Sequence, residues 1–167
     1  VGLNLRERVK LGAAGKVISS FDIARLMALG ADWCNAARGF MFALGCIQAQ
    51  ACHTGHCPTG VTTQDPQRMK ALVVPTKAER VWRFHEQTLD ALKELVQAAG
   101  LKHPNEITAR HIVRRTGEQE VKLLINLLPF VKPGSLLAAM HGEADWPHNV
   151  YRVYWPQSSS QTWQLVV

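Results

Sequence analysis

The sequence has no long hydrophobic run and no recognisable export signal. No apolar stretch approaches the roughly 20 residues that a membrane-spanning helix needs. Arg6, Glu7 and Arg8 lie near the start, where the apolar core of a signal peptide would have to follow. These absences argue against secreted and membrane-spanning classes. They lead us to expect a cytoplasmic protein without a membrane partner.

The sequence also lacks any concentration of positive charge. There are 19 Lys and Arg residues against 13 Asp and Glu, a net charge of +6, but the basic residues are scattered from Arg6 to Arg152. A nucleic-acid-binding surface needs its basic residues on one face. We therefore expect no nucleic-acid partner.

Familiar catalytic sets are missing as well. We find no phosphate-binding P-loop, no defensible Ser-His-Asp set and no paired-carboxylate site, and we assign no catalytic residue. The chain does offer 167 residues, 47% of them hydrophobic, and four cysteines, of which three fall within twelve residues. A chain of this length and hydrophobic content can form a domain with a core. Cysteines so closely spaced, in a chain without an export signal, favour a metal over disulfides.

The first third of the chain alternates strand-like and helix-like segments. We predict short strands over residues 9–13 and 31–35 and helices over 21–29 and 38–48. This order is typical of βα units and a parallel sheet, that is, of an α/β fold. Further along, we predict helices over 76–99, begun by a capping box at Thr76 and Glu79, and over 117–128. The chain thus divides into an α/β region, residues 1–66, and a mainly helical extension, residues 67–167.

The cysteine loop, residues 45–66, holds Cys46, Cys52 and Cys57, with five and then four residues between them. Three thiolates in so short a loop can converge on one centre, and such soft ligands suit an iron–sulfur cluster or zinc. The glycines of the loop let the backbone fold tightly and its amides approach the sulfurs. A zinc site of three cysteines and one of the two loop histidines, His53 or His56, is an alternative. Spacing alone leaves both metals open.

The run GADWCNAARGFMFALGCIQAQACHTGHCPTGVTTQDP, residues 30–66, resembles the end of the FMN-binding (β/α)8 barrel in glutamate synthase large subunits and in shorter, stand-alone relatives. The resemblance implies the C-terminal portion of a TIM barrel: its last two βα units, then the cysteine loop and a mainly helical tail. It also implies that Cys46, Cys52 and Cys57 bind a [3Fe-4S] cluster beside FMN. The fourth cysteine, Cys34, is interpreted as a core residue.

Two turns that follow the predicted strands resemble the phosphate-binding turns of the family. In flavin barrels the phosphate rests on backbone amides after the last strands, often at the start of a helix. The corresponding residues here are Gly15 and Lys16 in the first turn and Ala36, Ala37 and Arg38 in the second. Many relatives have Asp-Gly-Gly where this chain has Ala14-Gly15-Lys16, and Lys16 would keep that turn electropositive.

The resemblance implies an oxidoreductase of glutamate biosynthesis that reduces a 2-imino acid, formed from 2-oxoglutarate and ammonia, with FMN as the hydride donor. Electrons would arrive through the cluster from a ferredoxin or an NAD(P)H-oxidising partner. The alternative is a small zinc- or cluster-binding interaction module without catalysis, whose tail, residues 151–167, docks on a partner.

A complete (β/α)8 barrel needs about 250 residues, with active-site groups on several strands. This chain offers two βα units, and its first residue is Val1 where glutamate synthase has a nucleophilic cysteine. We therefore expect a fragment of the parent enzyme. Alone, such a fragment should be inactive and prone to aggregate through unpaired strand edges.

Overall fold

A computed structural model describes residues 1–159 and 161 and divides the chain into two compact units. One unit is Leu11–Ile112, and the other combines Val1–Lys10 with the described residues from Val113 onward. The predicted division at residue 66, drawn from the position of the cysteine loop, stays a prediction. Residues 160 and 162–167, which include the end of the predicted docking tail, lie outside the described residues.

The unit Leu11–Ile112 opens with two βα units. Strands β1 (Gly12–Ala14) and β2 (Trp33–Asn35) pair in parallel. Helix α1 (Ser20–Ala28) follows β1, and helix α2 (Arg38–Leu44) follows β2. Gly30 and Gly45, with φ of 107° and 110°, end the two helices in the left-handed conformation that glycine accepts without strain. The predicted alternation of strand and helix is confirmed, with shorter strands.

Two further helices complete this unit. Helix α3 (Pro66–Met69) is a single turn, and α4 (Val74–Ala98) is the longest helix of the unit. The predicted capping box at Thr76 is wrong, because α4 begins two residues earlier with Pro75 in its first turn. Proline suits that position, since its fixed φ is helical and its missing N–H would have had no partner.

Helix α4 packs against α1 and α2 through an apolar stripe. Leu92 and Val96 of α4 are buried, as are three residues of α1: Ala24, Met27 and Ala28. Phe40 of α2 meets Phe84 of α4 edge to face, with ring centroids 5.4 Å apart. We call this packing of α4 on α1 and α2 the helix layer. It holds the two βα units, and therefore the cysteine loop that follows them, in place.

The other unit contains a hairpin where a helix was expected. Strands β3 (Val113–Arg115) and β4 (Val121–Leu123) pair antiparallel, so the helix predicted over 117–128 is wrong up to residue 123, and only Leu124–Leu127 is helical. The backbone N–H of Thr116 donates to the Glu120 carbonyl over 3.0 Å, and the Thr116 hydroxyl donates to the Glu120 carboxylate over 2.8 Å. These bonds close a turn that the helical periodicity of the apolar residues concealed.

Three short helices follow in the same unit: α5 (Leu124–Leu127), α6 (Ser135–Met140) and α7 (Asn149–Tyr154). Short 3-10 segments lie at Arg6–Arg8, Cys52–Thr54, Pro104–Glu106 and Trp155–Gln157. The chain is therefore mixed α/β, and over residues 1–159 and 161 its strands form two two-stranded sheets and no closed barrel. None of the described helices is both long and apolar enough to cross a bilayer.

Candidate functional site

The two turns predicted to hold a phosphate leave neighbouring strands at the same edge of the sheet. In the parallel register Ala14, the last residue of β1, lies opposite Asn35, the last residue of β2. Gly15 and Lys16 follow the first of these residues, and Ala36 follows the second. Gly15 has φ of 97° and Lys16 has φ of 55°, so the first turn depends on two left-handed residues. The carboxyl ends of parallel strands are where α/β proteins place ligands.

The helix after the first turn already has its amino end satisfied by its own side chains. Ser19 and Asp22 form a reciprocal capping box at the start of α1. The Asp22 carboxylate accepts from the backbone N–H groups of Ser19 at 2.9 Å and of Ile18 at 3.2 Å. The Ser19 amide is the main cause of the lowered pKa of Asp22. An anion at this helix start would compete with a carboxylate that is already in place.

The helix after the second turn begins without such a cap. Ala37 is the N-cap residue of α2, and no side chain accepts a hydrogen bond from its first amides. Arg38, the first helical residue, is exposed. It lines a pocket together with Cys46 and Cys52. The second turn therefore places a guanidinium beside two of the three cysteines, whereas Gly15 and Lys16 line neither this pocket nor the cysteine pocket described below.

The three cysteines of the loop line one small pocket. Cys57 is buried at 9% exposure, Cys46 is half-buried and Cys52 is exposed; all are free thiols. Apolar side chains complete the lining, among them Met41, Ile47 and Val61. The structure thus brings all three predicted ligands to one place.

Hydrogen-bond donors surround the Cys57 sulfur. The Thr59 hydroxyl lies 3.5 Å from Sγ. This hydroxyl, followed by the backbone amides of Thr62 and Thr59, lowers the pKa of the Cys57 thiol to about 6. Burial raises the pKa and so opposes this shift. The backbone N–H of Gln48 lies 3.5 Å from the Cys46 sulfur as its donor. Donors around sulfur favour the thiolate, the form that binds metals.

The donor chemistry fits an iron–sulfur cluster, although the three sulfur atoms are not arranged around one centre. Within residues 1–159 and 161, no three His, Cys, Asp or Glu side chains are arranged so as to hold a metal ion. The fit rests on three thiols at one pocket, N–H groups directed at sulfur, and the Thr62 hydroxyl. Its oxygen is buried, and the Thr62 side chain is among the hydrogen-bond donors that lower the pKa of Cys57. The exposed loop histidines, His53 and His56, line neither pocket.

Cys34 lies in different surroundings from the loop cysteines. It lies in β2 and lines an apolar cavity beneath α4, a cavity that Ala36 also lines. Burial raises the pKa of the Cys34 thiol. This setting agrees with its interpretation as a core residue.

Several residues that support the three cysteines were missed by sequence reasoning. The Thr59 and Thr62 side chains face Cys57, and Thr63 and Arg68 donate to backbone carbonyls of the loop. The pair Asp65-Pro66 could have signalled the helix start that positions Arg68, since Asp at the N-cap and Pro at the next position are typical of helix starts. Nothing in the sequence signalled that these residues fold back on the loop.

Comparison with known proteins gives consistent matches. Residues 1–102 match the family described as the conserved region in glutamate synthase. The glutamate synthase large subunit-like protein YerD of Bacillus subtilis is 41% identical over 124 residues, 74% of this chain and 24% of that protein. The archaeal glutamate synthase (NADPH) of Methanocaldococcus jannaschii is 33% identical over 120 residues, 71% of this chain and 24% of that protein. The glutamate synthase (NADPH) large chain of Azospirillum brasilense is 32% identical over 136 residues, 78% of this chain and 9% of that protein. The chain therefore spans about a quarter or less of the length of these relatives.

Proposed function

The chain belongs to the glutamate synthase family, and we propose on that ground that it forms the end of an FMN-binding (β/α)8 barrel with a cluster-binding loop. The parallel pair β1 and β2, each followed by a helix, supports its assignment as the last two βα units of such a barrel. The cysteine loop begins where α2 ends, at Gly45. It therefore follows the turns where flavin barrels bind phosphate.

The cysteine loop is proposed to hold a [3Fe-4S] cluster on Cys46, Cys52 and Cys57. The observation that carries this proposal is that the three thiols line one pocket among hydrogen-bond donors and apolar side chains. When bound, the cluster would supply one-electron transfer. The chain's own contribution is to hold three thiolates, to direct Gln48 and Thr59 at their sulfurs, and to cover them with apolar groups.

FMN is proposed to place its phosphate at the second turn, with Gly15 and Lys16 of the neighbouring first turn completing the site. The uncapped start of α2 leaves its first amides available, and the Arg38 guanidinium can fork onto a phosphate. Because Arg38 shares a pocket with Cys46 and Cys52, a phosphate there would lie close to the cluster loop. Bound FMN would supply hydride transfer.

For the whole protein we propose the reductive amination of 2-oxoglutarate to glutamate. Ammonia condenses with the 2-oxo acid with loss of water, and the resulting 2-imino acid takes up two electrons and two protons to become the amino acid. The names of two of these relatives specify NADPH, which supports an NADPH-linked partner as the electron source; a ferredoxin is the alternative. Within this chain we assign no residue to the substrate.

The cluster proposal is tested by anaerobic reconstitution of the purified protein with iron and sulfide, followed by electron paramagnetic resonance. We expect a three-iron signal in the unmodified protein and in the control Cys34→Ser, which changes a cysteine outside the loop. The signal should be lost in Cys46→Ser, Cys52→Ser and Cys57→Ser. Stoichiometric zinc without iron would contradict the proposal and support the interaction-module alternative.

The flavin proposal is tested by titrating the protein with FMN and following quenching of flavin fluorescence. Arg38→Met should weaken FMN binding about tenfold, because a charge-assisted hydrogen bond contributes roughly 1.5 to 3 kcal/mol. Arg80→Met, which removes an exposed arginine from α4, is the matched control and should have no effect. Equal FMN affinity of the Arg38→Met variant and the unmodified protein would show that Arg38 does not bind the phosphate.

A further inference from the structure

The backbone between Cys52 and Cys57 is held in place by side chains that follow Cys57 in the chain. The Thr63 hydroxyl donates to the Gly55 carbonyl over 2.5 Å, and the Arg68 guanidinium donates to the His56 carbonyl over 3.1 Å. These two carbonyls belong to consecutive residues, directly before Cys57. The backbone on the approach to this cysteine is therefore bonded at two adjacent points to a segment up to 12 residues further along the chain.

The donor side chains are themselves fixed in place. Asp65 caps α3 by accepting from the backbone N–H groups of Gln67 at 2.8 Å and Arg68 at 3.3 Å. Its carboxylate also lies 3.6 Å from the Arg68 guanidinium. The Thr63 hydroxyl accepts from the Asp65 N–H over 3.1 Å. One short helix start thus orients both donors.

Gly60 allows the backbone after Cys57 to approach helix α3 closely. Gly60 has φ of 77°, and a Cβ at this position would overlap the Arg68 carbonyl oxygen. The backbone after Cys57 therefore lies directly against α3. Both the entry to Cys57 and the exit from it are held by the segment 63–68.

We propose that Thr63 and Arg68 form a clamp that positions Cys57 against Cys46 and Cys52 and so makes the loop competent to bind its cluster. They are positioning residues, since they contact loop carbonyls and no thiol. The statement about the cluster rests on the proposed function; the statement about Cys57 does not. A loop rich in glycine has high conformational entropy, and fixing one ligand in advance lowers the entropy that metal binding must remove.

The clamp is tested first without any metal. Thr63→Val and Arg68→Met each remove one donor while keeping the size of the side chain. Alkylation of each cysteine by iodoacetamide is followed by mass spectrometry at pH 9, where the thiolate fraction of Cys57 varies at most about twofold. We expect Cys57 to react about fivefold faster in either variant, the factor for one lost hydrogen bond, and faster still in the double variant.

Matched controls remove the same chemistry from α4. Thr88→Val removes a hydroxyl that donates to the Phe84 carbonyl, and Arg83→Met removes an arginine paired with Glu79. Neither should change the rate at Cys57. Arg68→Lys, which keeps a cationic donor, should restore most of the protection. A Cys57 rate within twofold of the unmodified protein in both clamp variants would overturn the proposal. So would an equal rise at Cys34, which would mean that the whole unit had unfolded.

The loaded protein gives the second measurement. After reconstitution, both clamp variants should retain several-fold less iron than the unmodified protein, and the line shape of the remaining paramagnetic signal should change. Unchanged iron content and line shape would overturn the role of the clamp in cluster binding. If the unmodified protein takes up no iron, the proposed function fails, and the alkylation rates still decide whether the clamp positions Cys57.

Discussion

The cysteine loop and the helix layer are neighbours in the same unit, but they are held together by different forces. The loop has no apolar periodicity; its shape depends on left-handed residues such as Gly55 and Gly60 and on side chains that donate to backbone carbonyls. The helix layer depends on buried side chains such as Leu92 and Val96. Cys57 lies in the loop, and Cys34 lies in β2 beside the helix layer. Hydrogen bonds lower the pKa of Cys57, whereas burial raises that of Cys34.

This contrast teaches that the two regions should fail under different substitutions. A change that alters backbone conformation or removes a donor should damage the loop, whereas a change that removes apolar volume should damage the layer. The loop can position reactive thiols because polar groups remain accessible to them. The helix layer supplies the rigid support, and burial beside it keeps the Cys34 thiol neutral.

The largest effect is expected from Gly60→Ala in the loop. An added methyl group would meet the Arg68 carbonyl, and alanine would be strained at φ of 77°. Together these should lower the free energy of unfolding by about 3 kcal/mol, measured by urea denaturation. Gly55→Ala is the matched control: its φ is 75°, but nothing lies within 4 Å of the added methyl group, so only about 1 kcal/mol should be lost. Equal losses would show that the contact with Arg68 is unimportant.

Cys57 should have a much larger thiolate population at pH 7 than Cys34. With a pKa lowered to about 6, Cys57 is mostly ionised at pH 7, while burial raises the pKa of Cys34 and keeps its thiol protonated. Alkylation of the metal-free protein between pH 5 and pH 10 should give a midpoint near 6 for Cys57 and a midpoint above that of an ordinary thiol for Cys34. Thr59→Val should move the Cys57 midpoint upward, because the Thr59 hydroxyl is the main cause of the shift. Equal midpoints for Cys57 and Cys34 would contradict the expected difference between their pKa values.

In the helix layer, Leu92→Ala should lower the free energy of unfolding by about 2 kcal/mol. Leu92 is buried at 8% exposure and lines the apolar cavity beneath α4, so the site already has space into which neighbours can relax. This places the loss at the lower end of the usual range. Leu89→Ala, at a position of the same helix that is 44% exposed, should cost clearly less. If both variants were equally stable, α4 would not be held by its buried stripe.

The smallest effect is expected at the surface of the same helix. Arg83 and Glu79 form an ion pair across one turn of α4, and both side chains are more than half exposed. Arg83→Met should change the free energy of unfolding by only about 0.3 kcal/mol, and by less at high salt. Arg68→Met, which removes an arginine bonded to the loop, should cost more in the same denaturation assay. A larger loss at Arg83 than at Arg68 would reverse the comparison.

Much of the first unit followed from local signals. The strand and helix pairs were predicted from apolar runs and from helix-ending glycines, and the structure confirms them because those signals act within a few residues. The family was predicted from residues 30–66 and is confirmed by the match over residues 1–102. The hairpin over Val113–Leu123 was missed, because its apolar residues also fit a helical period and the turn at Thr116 to Glu120 decides between the two.

The candidate site also has a part that could be predicted from the sequence and a part that could not. Cys46, Cys52, Cys57 and Arg38 could be named from the sequence, because ligand chemistry depends on residue type and close spacing. Their roles in binding a cluster and FMN stay predictions. The clamp at Thr63 and Arg68 could not be foreseen, since its partners are backbone carbonyls, which look the same at every position of a sequence.

By itself, the sequence determined the βα order, the identity of the thiols and the family. Each of these depends on the type of residue at a position and on its near neighbours. Only the tertiary structure decided that the second turn is open while the first is capped, and that Cys57 lies among donors while Cys34 lies among apolar groups. Burial and hydrogen bonding between distant residues arise when the chain folds, and they set the properties of a thiol or a helix end.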